Sequence, residues 1–337
     1  MTDAAMSTGR IALVLGATGG IGAETAKALV RHGWAVRALT RRPLAGDGLD
    51  PTLAWTSGDA MNADDVARAA RGADLIVHGV NPPRYRNWRG LALPMLDATI
   101  AAARRHGARI LFPGTVYNYG PGDRRLLHED TPQRPTTRKG AIRVEMEERL
   151  RRAAESGVPV LIVRAGDYFG ASGGNTWFGQ GMVTPGKQLR RFVDPGAVGA
   201  GHAWAYLPDL AETMAQLLDR ADELAPFERF HFRGHWFARN RDLAEAVRHA
   251  VGDPTLPIWG FPWWLVTLTS PVVRLFREMH EMRYIWRESI ELDNTKLVAF
   301  LGEESHTPID AALRQTLEAL ECLSPAAQKV GRDLLEA

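Results

Sequence analysis

Seven consecutive residues, Gly16-Ala17-Thr18-Gly19-Gly20-Ile21-Gly22, narrow the folds open to this 337-residue chain more than any other stretch. They follow an apolar run, Ile11 to Leu15, and precede an amphipathic segment. Glycines at this spacing permit a tight turn and a close backbone approach, while the free N–H groups and dipole of a following helix favour a pyrophosphate. Strand, turn and helix together predict a dinucleotide site carried by Gly16, Thr18, Gly19, Gly20, Ile21 and Gly22. The alternative is a purely structural turn.

The rest of the first half repeats this alternation. Short apolar runs over 11–15, 35–39, 53–56, 75–80, 109–112 and 160–163 read as strands. Helix-period segments over 21–32, 63–70, 91–106 and 138–156 lie between them, each followed by a glycine able to cap in the left-handed conformation. This is the pattern of an α/β protein with a doubly wound parallel sheet, the NAD(P)-binding Rossmann fold, joined to a smaller, discontinuous C-terminal region. From Gly166 to Gly201 the periodicity dissolves into a glycine-rich stretch that reads as a substrate-facing excursion or lid. Helices are predicted again over 207–221, 242–251 and 309–320, and a strand over 229–232 rejoins the sheet. The expected division is a dinucleotide-binding domain over 8–170, rejoined by 203–234, with a substrate-binding region over 171–202 and 235–330.

Forty-one Lys and Arg against 39 Asp and Glu leave a formal charge of +2, too little for a global field that recruits nucleic acid or anionic surfaces. No nucleic-acid motif is evident. Cys322, the single cysteine, excludes an internal disulfide and fits a reducing cytoplasm. The N-terminus lacks the apolar core of an export signal. The most lipid-like stretch, 258–276, is broken by Pro262, Pro271 and Arg274, so no membrane span is expected and the segment reads as buried or interfacial. The histidines and acids show no close metal-ligand spacing, and His231 and His235 are not expected to share a helical face.

After the second strand the chain reads Thr40-Arg41-Arg42, with no carboxylate to hold a ribose diol. A guanidinium grips a 2′-phosphate through paired hydrogen bonds, so Arg41 and Arg42 favour NADP(H) over NAD(H). The alternative is two solvated loop arginines. Asp59 is placed to accept from the adenine amino group or to cap a helix. Gly79 reads as backbone room beside the cofactor, and His78 as a strand-end histidine with a satisfied hydrogen bond rather than a catalytic group.

With these residues in place, the chain resembles the short-chain dehydrogenases/reductases of the extended or atypical type, the group that contains the NAD-dependent epimerase/dehydratase enzymes. Beyond the glycine turn, the resemblance rests on Thr115-Val116-Tyr117-Asn118-Tyr119-Gly120 and on Glu129-Asp130-Thr131-Pro132 with Pro135. It continues in Arg164-Ala165-Gly166-Asp167-Tyr168-Phe169-Gly170, Tyr206-Leu207-Pro208-Asp209-Leu210-Ala211 and Leu292-Asp293-Asn294-Thr295-Lys296. It implies a Ser or Thr that orients the substrate oxygen, a Tyr that transfers the proton, and a Lys one turn later that binds the nicotinamide ribose. Thr115 matches the first role. The Tyr-x-x-x-Lys of the family is replaced by Lys139-x-x-x-Arg143. The resemblance also implies a homodimer.

Residues at i and i+4 share a helix face, so Lys139 and Arg143 project together, and a neighbouring guanidinium disfavours the ammonium form of Lys139. On that basis Lys139 is the expected general acid/base and Arg143 the expected holder of the ribose hydroxyls. The alternative is a solvated helix face with Glu147 screening Arg143. Tyr117, two residues from Thr115 on a continuing strand, is a second candidate proton donor. Tyr119 and Tyr168 end segments aimed at the cleft; each of the three tyrosines is alternatively a packed one with its hydroxyl satisfied. Asp167 is a candidate carboxylate without an assigned partner.

Toward the C-terminus Trp259, Phe261, Trp263, Trp264, Tyr284 and Trp286, with Trp177 and Phe178, either line an apolar substrate pocket or form core and dimer contacts. Lys187, Arg190 and Arg191 are candidate basic groups for a nucleotide-linked substrate. Three functions follow. The first is an NADP(H)-dependent oxidoreductase acting on a small-molecule carbonyl or related group. The second is an NAD-dependent sugar-nucleotide epimerase or dehydratase, and the third a non-catalytic dinucleotide sensor.

Overall fold

The computed structural model describes residues 9–41, 49–82, 88–122, 126–172 and 176–323. The first half alternates β1 (Ile11–Leu15), α1 (Gly20–Arg31), β2 (Ala35–Thr40), β3 (Ala54–Ser57), α2 (Ala63–Ala69), β4 (Leu75–His78), α3 (Trp88–His106) and β5 (Arg109–Thr115). A two-residue strand β6 (Leu126–Leu127) follows, then α4 (Arg138–Glu155) and β7 (Val160–Ala165). Further on come β8 (Asp167–Phe169), β9 (Phe192–Asp194), β10 (His202–Tyr206), α5 (Leu207–Asp219), β11 (Phe227–His231), β12 (His235–Phe237) and α6 (Asn240–Val251). The chain ends in β13 (Ile258–Gly260), α7 (Trp263–Thr269), α8 (Arg274–Glu281), β14 (Glu291–Leu292), α9 (Thr295–Leu301) and α10 (Ile309–Ala319).

Seven strands form one parallel sheet in the order β11-β7-β5-β4-β1-β2-β3. Its strands are apolar on both faces because both are covered. Val14, Val77 and Leu161 pack with α1 and α5 on one side, and Leu13, Ile76 and Ile110 with α2, α3 and α4 on the other. The register sets Leu15 beside Leu39 of β2 and beside His78 of β4. The carboxyl ends of these strands therefore finish level where the strand order reverses, and a doubly wound sheet opens its ligand crevice there.

A third apolar cluster gathers the C-terminal elements with Phe169, Phe178, Phe192 and Trp204. It corrects the reading of the stretch from Gly166 to Gly201 as a lid. The stretch contains β8 and β9, and Phe178 and Phe192 are completely buried. Three-residue strands set between glycines carry too few alternations to show a period of two. Trp204 and Trp286 also belong to this core, while Trp259 and Trp264 remain exposed.

Candidate functional site

A cleft of about 530 Å³ opens at the ends of β1, β2 and β4, lined by Gly16, Thr18, Leu39, Arg41, Asp59 and Asn81 among others. Its floor depends on missing side chains. Gly16 adopts φ 89°, and a Cβ there would lie 2.6 Å from the Gly79 carbonyl oxygen. A Cβ at Gly22 would lie 2.2 Å from the Gly16 oxygen, and one at Gly79 would lie 2.9 Å from the Leu15 oxygen. Packing against Gly22 and Leu15 thus requires glycine at position 79 whether or not its backbone borders a cofactor.

Gly19 donates its N–H to the Gly16 carbonyl at 2.9 Å and begins α1 without a side-chain cap, which leaves early helix N–H groups for an anion. Gly20 abuts the Ser172 carbonyl and Leu207, and the Ile21 side chain lies in the core, so these two residues can serve the cleft only through their backbone. Gly22→Ala is expected to weaken reduced-nicotinamide binding by about 5- to 150-fold, the equivalent of the ~1–3 kcal/mol that fitting an extra methyl into the turn costs. Fluorescence titration of the variant checks this.

Arg41 lines the cleft at the end of β2, and Arg42 lies outside the described residues. Asp59 accepts from the Met61 N–H at 3.0 Å and faces the cleft. The cap of α2 is Asn62, which accepts from Asp64 and Asp65, so the helix-capping alternative for Asp59 falls away. His78 is buried, with Nδ1 2.8 Å from the Thr99 hydroxyl. Burial, reinforced by the Arg143 charge, pushes its pKa down to about 3 and keeps the ring neutral.

Thr115, Lys139 and Arg143 are not among the residues that line this cleft, though Arg143 bonds to its Asn81. β5 stops at Thr115 and the chain turns into a short 3₁₀ helix over Val116–Asn118, so Tyr117 does not continue the strand. The Thr115 hydroxyl accepts from the Tyr117 N–H at 3.2 Å. Gly140 on α4 packs against this turn so closely that a Cβ would lie 2.3 Å from the Tyr117 oxygen. The contact brings the Thr115 turn together with Lys139 and Arg143.

Neither cation is solvated: Lys139 is 3% exposed and Arg143 5%. This corrects the alternative of an open helix face. Lys139 Nζ lies 3.6 Å from a Glu278 carboxylate oxygen on α8. Burial lowers the Lys139 pKa to about 8 against the opposing pull of Glu278 and Glu281, so desolvation takes the part expected of Arg143. Arg143 donates to Asn81 Oδ1 at 2.7 Å and lies over the Trp88 ring at 5.3 Å. Glu147 forms a buried pair with Arg164, supported by Asn118 and Gln133, and its charge reaches Arg143 as a lesser contribution.

The tyrosines separate by partner. Tyr119 is completely buried and accepts from Arg164 at 2.8 Å, so it does not reach the cleft. Tyr168 donates to the Gly114 carbonyl at 3.3 Å, and burial pushes its pKa up to about 12. Tyr117 donates to Asp167 at 3.3 Å, and the other Asp167 oxygen lies 2.9 Å from His202 Nε2. His202 is stacked on Trp286 at 4.2 Å. Asp167 thereby gains the partners its sequence position did not reveal. His202 reaches it through the pairing of β10 with β8, which no local spacing announces. Glu278 and Asn81 were likewise unmarked, since each meets its partner only in the folded chain.

Lys187, Arg190 and Arg191 flank the start of β9 and do not line the cleft. Among the described residues no group of three His, Cys, Asp or Glu is arranged to hold a metal ion, and no helix is long and apolar enough to cross a membrane.

A profile of the family described as "NAD dependent epimerase/dehydratase family" matches residues 12–231. A Streptomyces antibioticus protein named "Probable oxidoreductase" is 39% identical over 83 residues, which is 21% of this chain and 28% of that protein. The solved dTDP-glucose 4,6-dehydratase from Streptomyces venezuelae, with NAD and TYD bound, aligns at TM-score 0.69 and 19% identity over 92% of this chain and 97% of its own. A nucleoside-diphosphate-sugar epimerase from Pseudomonas aeruginosa aligns at TM-score 0.68 and 20% identity over 94% and 98%. At these identities the solved structures establish a shared fold.

Proposed function

The chain belongs to the NAD-dependent epimerase/dehydratase family, and we propose that it works as an NADP(H)-dependent oxidoreductase reducing a small-molecule carbonyl. The observation that carries this reading is Lys139: a nearly buried amine with its pKa lowered to about 8, at the position where the resemblance calls for a tyrosine. The fit to the cofactor is supported by the glycine turn along the cleft, which keeps its shape only without a Cβ at Gly16 or Gly22, where one would strike the Gly79 or Gly16 carbonyl oxygen. In this reading the Gly16–Gly22 turn takes the pyrophosphate, Arg41 the 2′-phosphate, and Arg143 with Asn81 the nicotinamide ribose. Bound NADPH supplies the hydride. Residues 8–170 and 203–234 serve the cofactor, and 171–202 with 235–330 the substrate.

Near neutrality Lys139 is mostly an ammonium and donates its proton to the carbonyl oxygen as the alkoxide develops. Thr115 accepts from Tyr117 through its lone pair, which directs its own O–H to the same oxygen. A second reading, a sugar-nucleotide epimerase or dehydratase, draws on Tyr117, whose phenol is hydrogen-bonded to the buried Asp167. The assay that separates them follows NADPH consumption with a panel of aldehydes and ketones, against conversion of UDP-glucose and dTDP-glucose with added NAD. Carbonyl-dependent NADPH consumption supports the reductase; sugar-nucleotide conversion alone replaces it with the second reading.

A further inference from the structure

Trp263 and Val266 of α7 turn into the core, but the opposite face of this helix is bare among the described residues. Trp264 is 71% exposed, Leu268 70%, and Val272, in the turn to α8, 85%. Trp259 is also exposed, and the Arg191 guanidinium lies over its ring at 4.5 Å. β9 and β13 run side by side here, pairing Val193 with Trp259.

The charge around this face leans toward base, and the acids that bound it, Asp194, Asp253 and Glu278, are engaged with the Gly196 N–H, with Thr255 and with Lys139. From Pro254 to Arg277 the sequence holds Arg274 and Arg277 and no Asp or Glu, and from Thr184 to Val193 it holds Lys187, Arg190 and Arg191 and again no acid. Among the described residues no carboxylate pairs with Lys187, Arg190 or Arg191. Such a bias stands out in a chain whose net charge is only +2.

We propose that this face docks on the surface of an anionic lipid bilayer. Trp264, Leu268 and Val272 enter the boundary between headgroups and acyl chains, where indole rings are favoured, and Lys187, Arg190, Arg191 and Arg277 meet lipid phosphates. α7 is seven residues long and therefore lies on the bilayer rather than crossing it. A second copy of the chain is a poorer occupant. A twofold interface repeats the same patch on both sides and would set the same basic residues against one another. The proposal does not depend on the reductase reading.

The test mixes the full chain with vesicles of phosphatidylcholine alone, or of phosphatidylcholine and phosphatidylserine in equal parts, and separates bound from free protein by flotation. Binding to the mixed vesicles that weakens with salt is expected. Trp264→Ser/Leu268→Ser and, separately, Arg190→Glu/Arg191→Glu should each weaken it more than about tenfold while the circular dichroism and melting temperature stay unchanged. Absence of binding to either vesicle overturns the proposal. Equal binding to phosphatidylcholine alone overturns the anionic preference. A lipid-free dimer that Trp264→Ser/Leu268→Ser converts to monomer, seen by light scattering, assigns the face to a second copy instead.

Discussion

Replacing Glu147 with alanine should destabilise the protein by about 3–5 kcal/mol, the cost of leaving one member of a buried ion pair without its partner. Glu147 is buried on α4 and faces Arg164 on β7, whose side chain is completely enclosed. Asn118 and Gln133 each donate to Glu147 at 2.9 Å. Without the carboxylate, the guanidinium keeps only Tyr119 and His231. His231 cannot compensate, since burial pushes its pKa down to about 3 and the Arg164 charge adds to that.

The pH dependence has a definite sign. Arg164 holds the Glu147 carboxyl below its ordinary range despite burial, so the pair stabilises the fold above the unfolded carboxyl pKa. That stability is lost as pH falls through the lower, folded value. Glu147→Ala should therefore flatten the acid limb of the stability curve as well as lower it. Urea unfolding with an unchanged m-value measures both effects, and a loss below about 1 kcal/mol would show that the pair is not structural.

Lys139→Met should reduce carbonyl turnover by about 10²–10⁴-fold, the range of a lost general acid, while NADPH binding is retained. Methionine keeps the length and apolar contacts of the lysine stem and removes the amine, with its proton and its ion pair to Glu278. In the wild-type protein, reduction should slow as pH rises through about 8, where the ammonium donor is lost, and the reverse oxidation should gain. Burial of the charged amine costs stability most at low pH, and the cost fades between pH 8 and the unfolded lysine value near ~10.4. Lys139→Met should remove that rise. Unchanged turnover with a pH profile like that of the wild type would return the chemistry to Tyr117 and its Asp167 partner.

The fold was readable because its signals are local. Most βα units of the first half carry their own apolar run, helix period and closing glycine, and that repetition implies a doubly wound parallel sheet, whereas the strand order appears only in the folded chain. The glycine turn was readable for the same reason, although the tight packing of Gly79 on Gly22 appears only when β1 and β4 lie side by side. Lys139 and Arg143 were marked by the resemblance to the family's Tyr-x-x-x-Lys, and their i, i+4 spacing put them on one helix face. Their burial, and the desolvation that lowers the Lys139 pKa, come from Trp88 and from α8, far away in sequence. The three-residue strands β8 and β9 were hidden because elements that short have no period, and their order is imposed by the aromatic core around Phe178 and Phe192.

The most direct measurement is a titration of the wild-type protein with NADPH and with NADH, following the fluorescence of the reduced nicotinamide, repeated with Arg41→Ala. Binding of NADPH more than about tenfold tighter than NADH, with the difference reduced in Arg41→Ala, is the expected result, since a charge-assisted contact to a phosphate is worth ~1.5–3 kcal/mol. Equal affinities, or a preference for NADH that Arg41→Ala leaves untouched, would contradict an NADPH-dependent reductase.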